Sequence, residues 1–562
     1  MFCLSISAQS LTAIQLDSLY IKFLSLRSPE LLSANERPVE LKLEDRKCGM
    51  ELVNTVKFNL LSFSESQQKI LKPLFDRPSL QDSILSASGK FWIHFNSTGS
   101  NVPHYVSNLT PLQNAQLAAE AIDSVYRFEV EYLDYPSAPS DNGAGGDDRF
   151  DIYITYQGGG LYGATYFENE IGSGSNKFTS YMEVDNAYAA GYYSTGIEGL
   201  EVTLAHEFHH AIQGGNYIVR LGKAYEGGDT YFYELTSTSM EDFVYGDVND
   251  YVAYLGTFFS NPDTPMPLHN GYDYAIWNKF LKERFGFDII KQQWEMMPDF
   301  RAINAINNSI FNNNSSLPKE MNKFGIWTFY TNYRSITGQY FDDAELYPLI
   351  NVTELSVVNQ PVNVDAGTVA NQFLFYGINA AGGVDSLFTI VSNGDYFSSV
   401  QNPYTTKPFA YTLFTSGTTG ERELTDDYSA NFDVSNESVW SVSEILNRII
   451  VREDSSIQTI FKKSNLYIFQ NPYYYNSNYD IVLAFSGNVG DDVNMEIYSI
   501  GMKEMFSSKK PVTIISRDSK TFTGIEWNGR NKNDEKLPTG IYVIVIKSGS
   551  EVLTGKIAIF NE

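Results

Sequence analysis

The chain has 562 residues, too many for one hydrophobic core, so three or more domains are expected. Lys and Arg number 40 against 67 Asp and Glu, a formal net charge of −27, which argues against nucleic acid or an anionic membrane surface as partner and suits a soluble exported protein. No apolar run reaches the roughly 18 residues needed to span a bilayer, so no transmembrane segment is expected.

In chain order, Met1-Phe-Cys-Leu-Ser-Ile-Ser-Ala8 is a short apolar stretch ending in small residues before Gln9, the pattern of a signal-peptide remnant over residues 1–8. If Cys3 leaves with it, Cys48 is the only thiol and no internal disulfide is possible. Residues 9–85 carry helical spacing (Leu16, Leu19, Tyr20, Phe23, Leu24; then Ile70, Leu71, Leu74, Phe75) and end at Arg77-Pro78; they read as a propeptide or N-terminal support region. Cys48 lies here in Asp45-Arg46-Lys47-Cys48-Gly49, where basic neighbours are expected to lower its thiol pKa. An inert cysteine is the simpler reading, and a thiolate reaching a metal the sharper one.

Residues 86–340 are assigned to a catalytic domain, opening with short strands, a helix over 111–134 and a strand over 150–155. The loop between them carries Asp141, Asn142, Asp147 and Asp148 among glycines. Such hard oxygens suit structural calcium, but the spacing is not that of an EF-hand and a solvated loop is the preferred reading.

His206-Glu-Phe-His-His210 is the most informative run. The residues from Gly199 to Gln213 contain no Pro and stop at Gly214-Gly215, which predicts a helix of about four turns. His206 and His210 then share one face and can hold a zinc ion between them, while Glu207 projects beside the pair, placed to take a proton from the activated water. With 6 His in 562 residues, H-E-x-x-H by chance is a rare accident. His209 lies off the ligand face and reads as a cleft or surface residue. A catalytic zinc needs a third protein ligand and an open fourth position. Residues 213–216 read Gln-Gly-Gly-Asn, which excludes the metzincin continuation. The segment Tyr231–Asp242 predicts a second helix on which Glu234, Thr238 and Glu241 share a face. Glu234 is the preferred third ligand and Glu241 its rival, better suited to hydrogen-bonding a ligand imidazole.

These two helices, with Met240-Glu241-Asp242 closing the second, resemble the gluzincin metallopeptidases, and more narrowly a family of secreted bacterial metalloproteases marked by (W/Y)-E-x-x-(S/T)-x-x-M-E-D. Ser88–Phe95, Asp148–Ile154, Tyr162-Gly-Ala-Thr165 and Tyr272–Trp277 also match, so the resemblance covers roughly residues 45–300. It implies an α+β gluzincin-like catalytic domain, an edge strand (150–155) that pairs with extended substrate, and a Tyr or His that stabilises the oxyanion. Tyr272 is favoured for that role, with Tyr274 and His269 as substitutes. The Arg46-Lys-Cys48-Gly49 pattern is similar to the cysteine switch of matrix metallopeptidases, a different clan.

Beyond about residue 345, short alternating segments such as Phe373–Tyr376, Leu387–Val391 and Tyr411–Phe414 predict a β-sandwich over 345–475, with helical spacing only near 442–449. Residues 480–562 include Leu537-Pro-Thr-Gly540-Ile-Tyr542 ahead of a strand expected to be fully buried. They resemble the C-terminal Ig-like sorting domains of type IX secretion cargo, an implied link to that secretion machinery.

The expectation is therefore a multidomain protein, an α+β catalytic domain followed by all-β Ig-like domains, secreted or held at the surface of a Gram-negative bacterium. Its function is a zinc-dependent endopeptidase acting on protein or peptide. The alternatives are a zinc-stabilised surface binding or adhesion protein without turnover, and a metallohydrolase acting on a non-peptide bond.

Overall fold

In the computed structural model the described residues are chiefly 11–33, 46–157 and 160–353 with their side chains, the strands between 353 and 451 as backbone, and most of 466–561. The expected signal remnant, residues 1–8, lies outside them. The chain divides into two compact units, Met1–Asp454 and Ser455–Glu562.

Unit one begins with three helices, α1 (Ala13–Arg27), α2 (Met50–Phe58) and α3 (Glu65–Leu71). Thr12 and Ser64 open α1 and α3 with reciprocal capping boxes to Gln15 and Gln67, which satisfy the free amides of each first turn. A five-stranded sheet follows: β1 (Asp82–Leu85), β2 (Phe91–Phe95), β3 (Phe150–Thr155), β4 (Gly163–Glu170) and β5 (Phe178–Asp185), in the order β1-β2-β3-β5-β4. β2, β3 and β5 are parallel, while β1 and β4 run antiparallel at the two edges. The strand expected at the substrate edge, 150–155, is therefore interior; the edge beside the histidine helix is β4. Strand order is set by long-range pairing, which the local pattern of 150–155 does not carry.

Side-chain alternation sends the two sheet faces into different cores. Ile152, Ile154, Met182 and Val184 join the main core with the helices that carry His206 and Glu234. Tyr153, Tyr166 and Tyr181 face the other way and pack with Leu16, Tyr20, Phe23, Leu24, Val53 and Val56 from α1 and α2. The N-terminal region is thus a built layer on one face of the sheet.

Helix α4 (Pro111–Tyr126) continues into a wide π-type turn over Arg127–Tyr132, covering most of the helix expected at 111–134. Helix α5 (Gly196–Ile212) starts three residues before Gly199 and ends in a second such turn, Gln213–Tyr217. It packs between α4, the β4–β5 face of the sheet and α6 (Thr230–Val244). Helices α7 (Gly256–Ser260), α8 (Ile276–Phe285), α9 (Asp288–Met296), α10 (Ala302–Asn312) and α11 (Leu317–Phe329) complete the main core, which extends to Ile350. Among the described residues no helix is long and apolar enough to cross a membrane.

From Thr353 to Val451 the described residues are strands, a five-stranded sheet plus the pair Leu387–Val391 and Asn436–Trp440. The helical spacing near 442–449 is overruled: Glu444–Val451 is a central strand between Gln372–Ala380 and Phe409–Ser416. Unit two is a sandwich of a four-stranded and a five-stranded sheet over its own core, including Ile481, Met495, Trp527, Ile544 and Ile557. Gly540 begins the strand Gly540–Ser548, and the Tyr542 hydroxyl donates to the Pro538 carbonyl at 2.8 Å. Only alternate residues of that strand (Tyr542, Ile544, Ile546) are fully buried, so it is a one-faced sandwich strand rather than a fully buried one.

Candidate metal centre

The helical spacing of α5 puts His206 and His210 one turn apart, and α6 crosses them so that Glu234 faces both. The Nε2 atoms of the two histidines are 3.1 Å apart. Glu234 Oε2 is 3.1 Å from His206 Nε2 and 3.4 Å from His210 Nε2. The far nitrogens are tied back. His206 Nδ1 meets Glu241 Oε1 at 2.7 Å, and His210 Nδ1 meets Gln213 Oε1 at 2.7 Å and Ser237 Oγ at 3.1 Å. With each Nδ1 donating to an oxygen, the tautomer that results turns both Nε2 lone pairs toward one point. Facing nitrogens beside a carboxylate are relieved by a shared proton or by a metal cation between them. Donors at about 2.0–2.1 Å from a tetrahedral zinc lie about 3.3 Å from one another, close to the three separations found.

The same charges act on the protonation of the donors. Burial alone would lower His206, but hydrogen bonds to Glu234 and Glu241 and their negative charge bring it up to about 9. Burial alone would raise Glu234, but the charge of His210 and hydrogen bonds from His206 and His210 pull it down to about 2. The pocket thus favours a cation. Glu234 lies in the cluster, and Glu241 stands behind it on His206 Nδ1.

Glu207 points into the same space. The Thr165 hydroxyl on β4 lies 2.8 Å from Oε2 and 2.7 Å from the Glu207 carbonyl, while Oε1 is buried with no hydrogen-bond partner. One oxygen is held and the other has no partner, and the carboxylate lies close enough to Cys48 to raise its thiol. The contact of Thr165 with Glu207 spans 42 residues and has no local sequence signal.

The turn Tyr272–Tyr274 separates the three oxyanion candidates. The Tyr272 ring stacks near His206, with centroids 6.1 Å apart, and burial together with the Glu234 charge keeps its phenol protonated, well above the ordinary range. Tyr274 packs on Phe258, His269 and Phe324, and His269 Nδ1 is bound to Asp273 at 2.6 Å. Only Tyr272 reaches the cluster. Gly271 makes this possible: its φ is +101°, and a Cβ there would sit 2.2 Å from the Tyr231 carbonyl and 2.8 Å from Glu234 Cβ.

Two expectations change. His209 is at neither surface nor cleft: it is 0% exposed, and its Nδ1 lies 2.8 Å from Glu129 Oε2 in the turn after α4. Burial holds that imidazole well below its ordinary pKa and pushes the Glu129 carboxyl well above its own, so the pair is neutral. Cys48 is the larger change. Its sulfur belongs to the same cluster, all four ligand atoms (Cys48, His206, His210, Glu234) lying within 4.8 Å of one another. The basic neighbour Lys47 does not lower its pKa, because the ammonium is spent on Glu241 (2.8 Å) and Asp250 (2.5 Å). Burial, then the charges of Glu207 and Glu234, push the thiol up instead.

The loop considered for calcium is organised by a guanidinium. Arg77 pairs with Asp141, Asp151 and Glu168 at 2.5–2.6 Å, Asp147 pairs with Arg149, and Asp148 accepts from Ser140. His94, from the Ser88–Phe95 stretch, binds Asp151 at 2.7 Å and stacks on Tyr153, and is not a member of the Cys48–His206–His210–Glu234 cluster.

Residues 69–301 match a family of unknown function (DUF6055). That stretch contains His206, Glu207, His210, Glu234, Glu241 and Tyr272 and begins after Cys48. Among the curated proteins none matches. Among solved structures, a chain of PorZ, an essential bacterial surface component of the type IX secretion system of Porphyromonas gingivalis, is similar at 12% identity and a TM-score of 0.14; the match covers 20% of this chain and 14% of that one.

Proposed function

We propose that the protein is a secreted zinc-dependent endopeptidase of the gluzincin type, with His206, His210 and Glu234 as the metal's protein ligands. The observation that carries this is the convergence of three electron-pair donors at 3.1–3.4 Å with both Nδ1 atoms tied back. Zinc, when bound, acidifies water and polarises the scissile carbonyl. The chain supplies the rest. Glu207, fixed through Oε2 by Thr165, takes the proton of the attacking water on its free Oε1 and returns it to the leaving amine. Tyr272 donates its phenol to the oxyanion. Glu241 and Gln213 keep the two imidazoles in one tautomer and orientation.

A second reading has one observation in its favour: Cys48 joins the cluster, and a closed set of four protein ligands is the pattern of a structural zinc site in a surface binding or adhesion protein. The buried free oxygen of Glu207 favours the first reading, since a structural site has no use for a base beside the ligands. The deciding experiment incubates the purified chain with an unstructured protein, with and without a chelator, and maps the cut sites. Peptide-bond cleavage abolished by the chelator and restored by zinc is expected. Zinc bound without cleavage, in any form of the chain, would leave the second reading standing.

Export is proposed to run through the C-terminal sandwich, on the Leu537-Pro-Thr-Gly540-Ile-Tyr542 resemblance and its separate core. Deleting residues 480–562 should leave the first unit folded but retained in the periplasm of its host. Cell fractionation checks this, and normal surface delivery of the truncated chain would sink it.

A further inference from the structure

We infer that Cys48 is a displaceable fourth ligand of this metal and that residues 46–54 lie where an extended substrate would lie, so the chain as synthesised is latent. This rests on the zinc-peptidase reading and adds its regulation. The sulfur sits in the cluster with 8% of the residue exposed, and the Met50 amide donates to it at 3.3 Å.

The backbone around Cys48 is the second observation. β4 is the open edge of the sheet beside α5, and residues 46–54 cover that edge. The Tyr162 amide donates to the Arg46 carbonyl at 2.9 Å, just ahead of β4, and the Gly49 amide donates to the Gly163 carbonyl at 2.9 Å. Cys48 and Gly163 form a parallel bridge. One turn into α2, the Asn54 side chain donates to the Thr165 carbonyl and accepts from the Phe167 amide, both at 2.8 Å. Thus the segment meets the edge at Gly163, Thr165 and Phe167, the groups a bound strand would use. Gly49 is required for the fit: a Cβ there would meet Ala164 Cβ at 2.9 Å and Leu161 at 3.1 Å.

Cys48 is the segment's one member of the cluster, and Lys47 beside it holds Glu241 behind His206. His206, His210 and Glu234 stand on α5 and α6, whereas α1 and the Val53–Val56 side of α2 pack in a separate core on the other sheet face, with Cys48 and Met50 reaching into the main core; the family match begins at residue 69, beyond this segment. With four protein ligands the metal has no position for water, and the free oxygen of Glu207 has nothing to act on. Moving Cys48 away opens that position and uncovers the β4 edge in one step.

The test uses the full chain as wild type, Cys48→Ala and Cys48→Ser, the near-isosteric serine serving should the alanine variant not fold. Three quantities are read: zinc per chain, sulfur neighbours of zinc by X-ray absorption, and cleavage of an unstructured protein. The wild type should hold one zinc with a sulfur neighbour at about 2.3 Å and cleave little, and the variants should hold zinc without sulfur and cleave about tenfold faster or more. A wild-type zinc shell without sulfur overturns the inference. Variants that keep zinc but gain no cleavage overturn it too, and mark a structural site. Absence of zinc from wild type and variants alike instead overturns the zinc reading on which the inference is built.

Discussion

Glu207→Gln is expected to keep zinc and lose turnover by about 10²–10⁴-fold, the usual contribution of a positioned acid–base group. The amide keeps the size of the side chain and can still meet the Thr165 hydroxyl, so the packing around Gly163 and Thr203 need not move. What disappears is the proton acceptor at Oε1. Glu234→Gln should behave differently. It removes the carboxylate that faces both Nε2 atoms, so zinc should be lost under conditions where Glu207→Gln remains fully loaded. Glu241→Gln, one bond further out, should weaken zinc by about 10–100-fold. These are compared in a Cys48→Ala background, where the fourth position is open, with zinc content and kcat measured side by side. Full activity in Glu207→Gln would remove it as the base. Retention of zinc by Glu234→Gln together with its loss from Glu241→Gln would exchange the two glutamates.

The clustering of His206, His210 and Glu234 was legible in the sequence because helical periodicity is a local rule. The four-residue step from His206 to His210, and the seven-residue step from Glu234 to Glu241, each fix a shared face before any tertiary fold is known. Gln213 could have been found the same way, since it follows His210 by three residues, but Gly214-Gly215 drew attention to the helix stop rather than to the turn carrying it. Thr165, Glu129 and Lys47 had no such signal: their contacts cross 42, 80 and 194 residues of chain. The order of the strands was hidden for the same reason, which is why β3 was expected at the edge that β4 occupies. Residues 442–449 failed differently. Ile445, Leu446, Ile449 and Ile450 fit a helical stripe and a buried strand equally well over so short a run, and pairing on both sides decided for the strand.

Lys47→Met is expected to destabilise the first unit by about 3–5 kcal/mol, because it leaves two buried carboxylates without their cation. Burial alone would lower the Lys47 pKa, yet Asp250 and Glu241 hold it well above its ordinary value, and the ammonium also lies 4.6 Å from the Tyr162 ring centre. Asp250 answers in kind: burial would raise it, but Lys47 and hydrogen bonds from Ser194 and Tyr162 keep it below its ordinary range. Methionine fills a similar volume, so the loss is electrostatic rather than a cavity. A fall in Tm of roughly 3–5 °C should follow for a unit of this length. Asp250→Asn in the same chain should recover part of it, since one of the two stranded charges is gone, and the double variant should cost less than the sum of the singles. The effect reaches the metal as well. Glu241 bridges Lys47 and His206, so the same substitution loosens both the hold on that imidazole and the seat of Cys48. An unchanged Tm in Lys47→Met would mean that Glu241 and Asp250 find other partners or protons, and that the segment bearing Cys48 is not anchored through this pair.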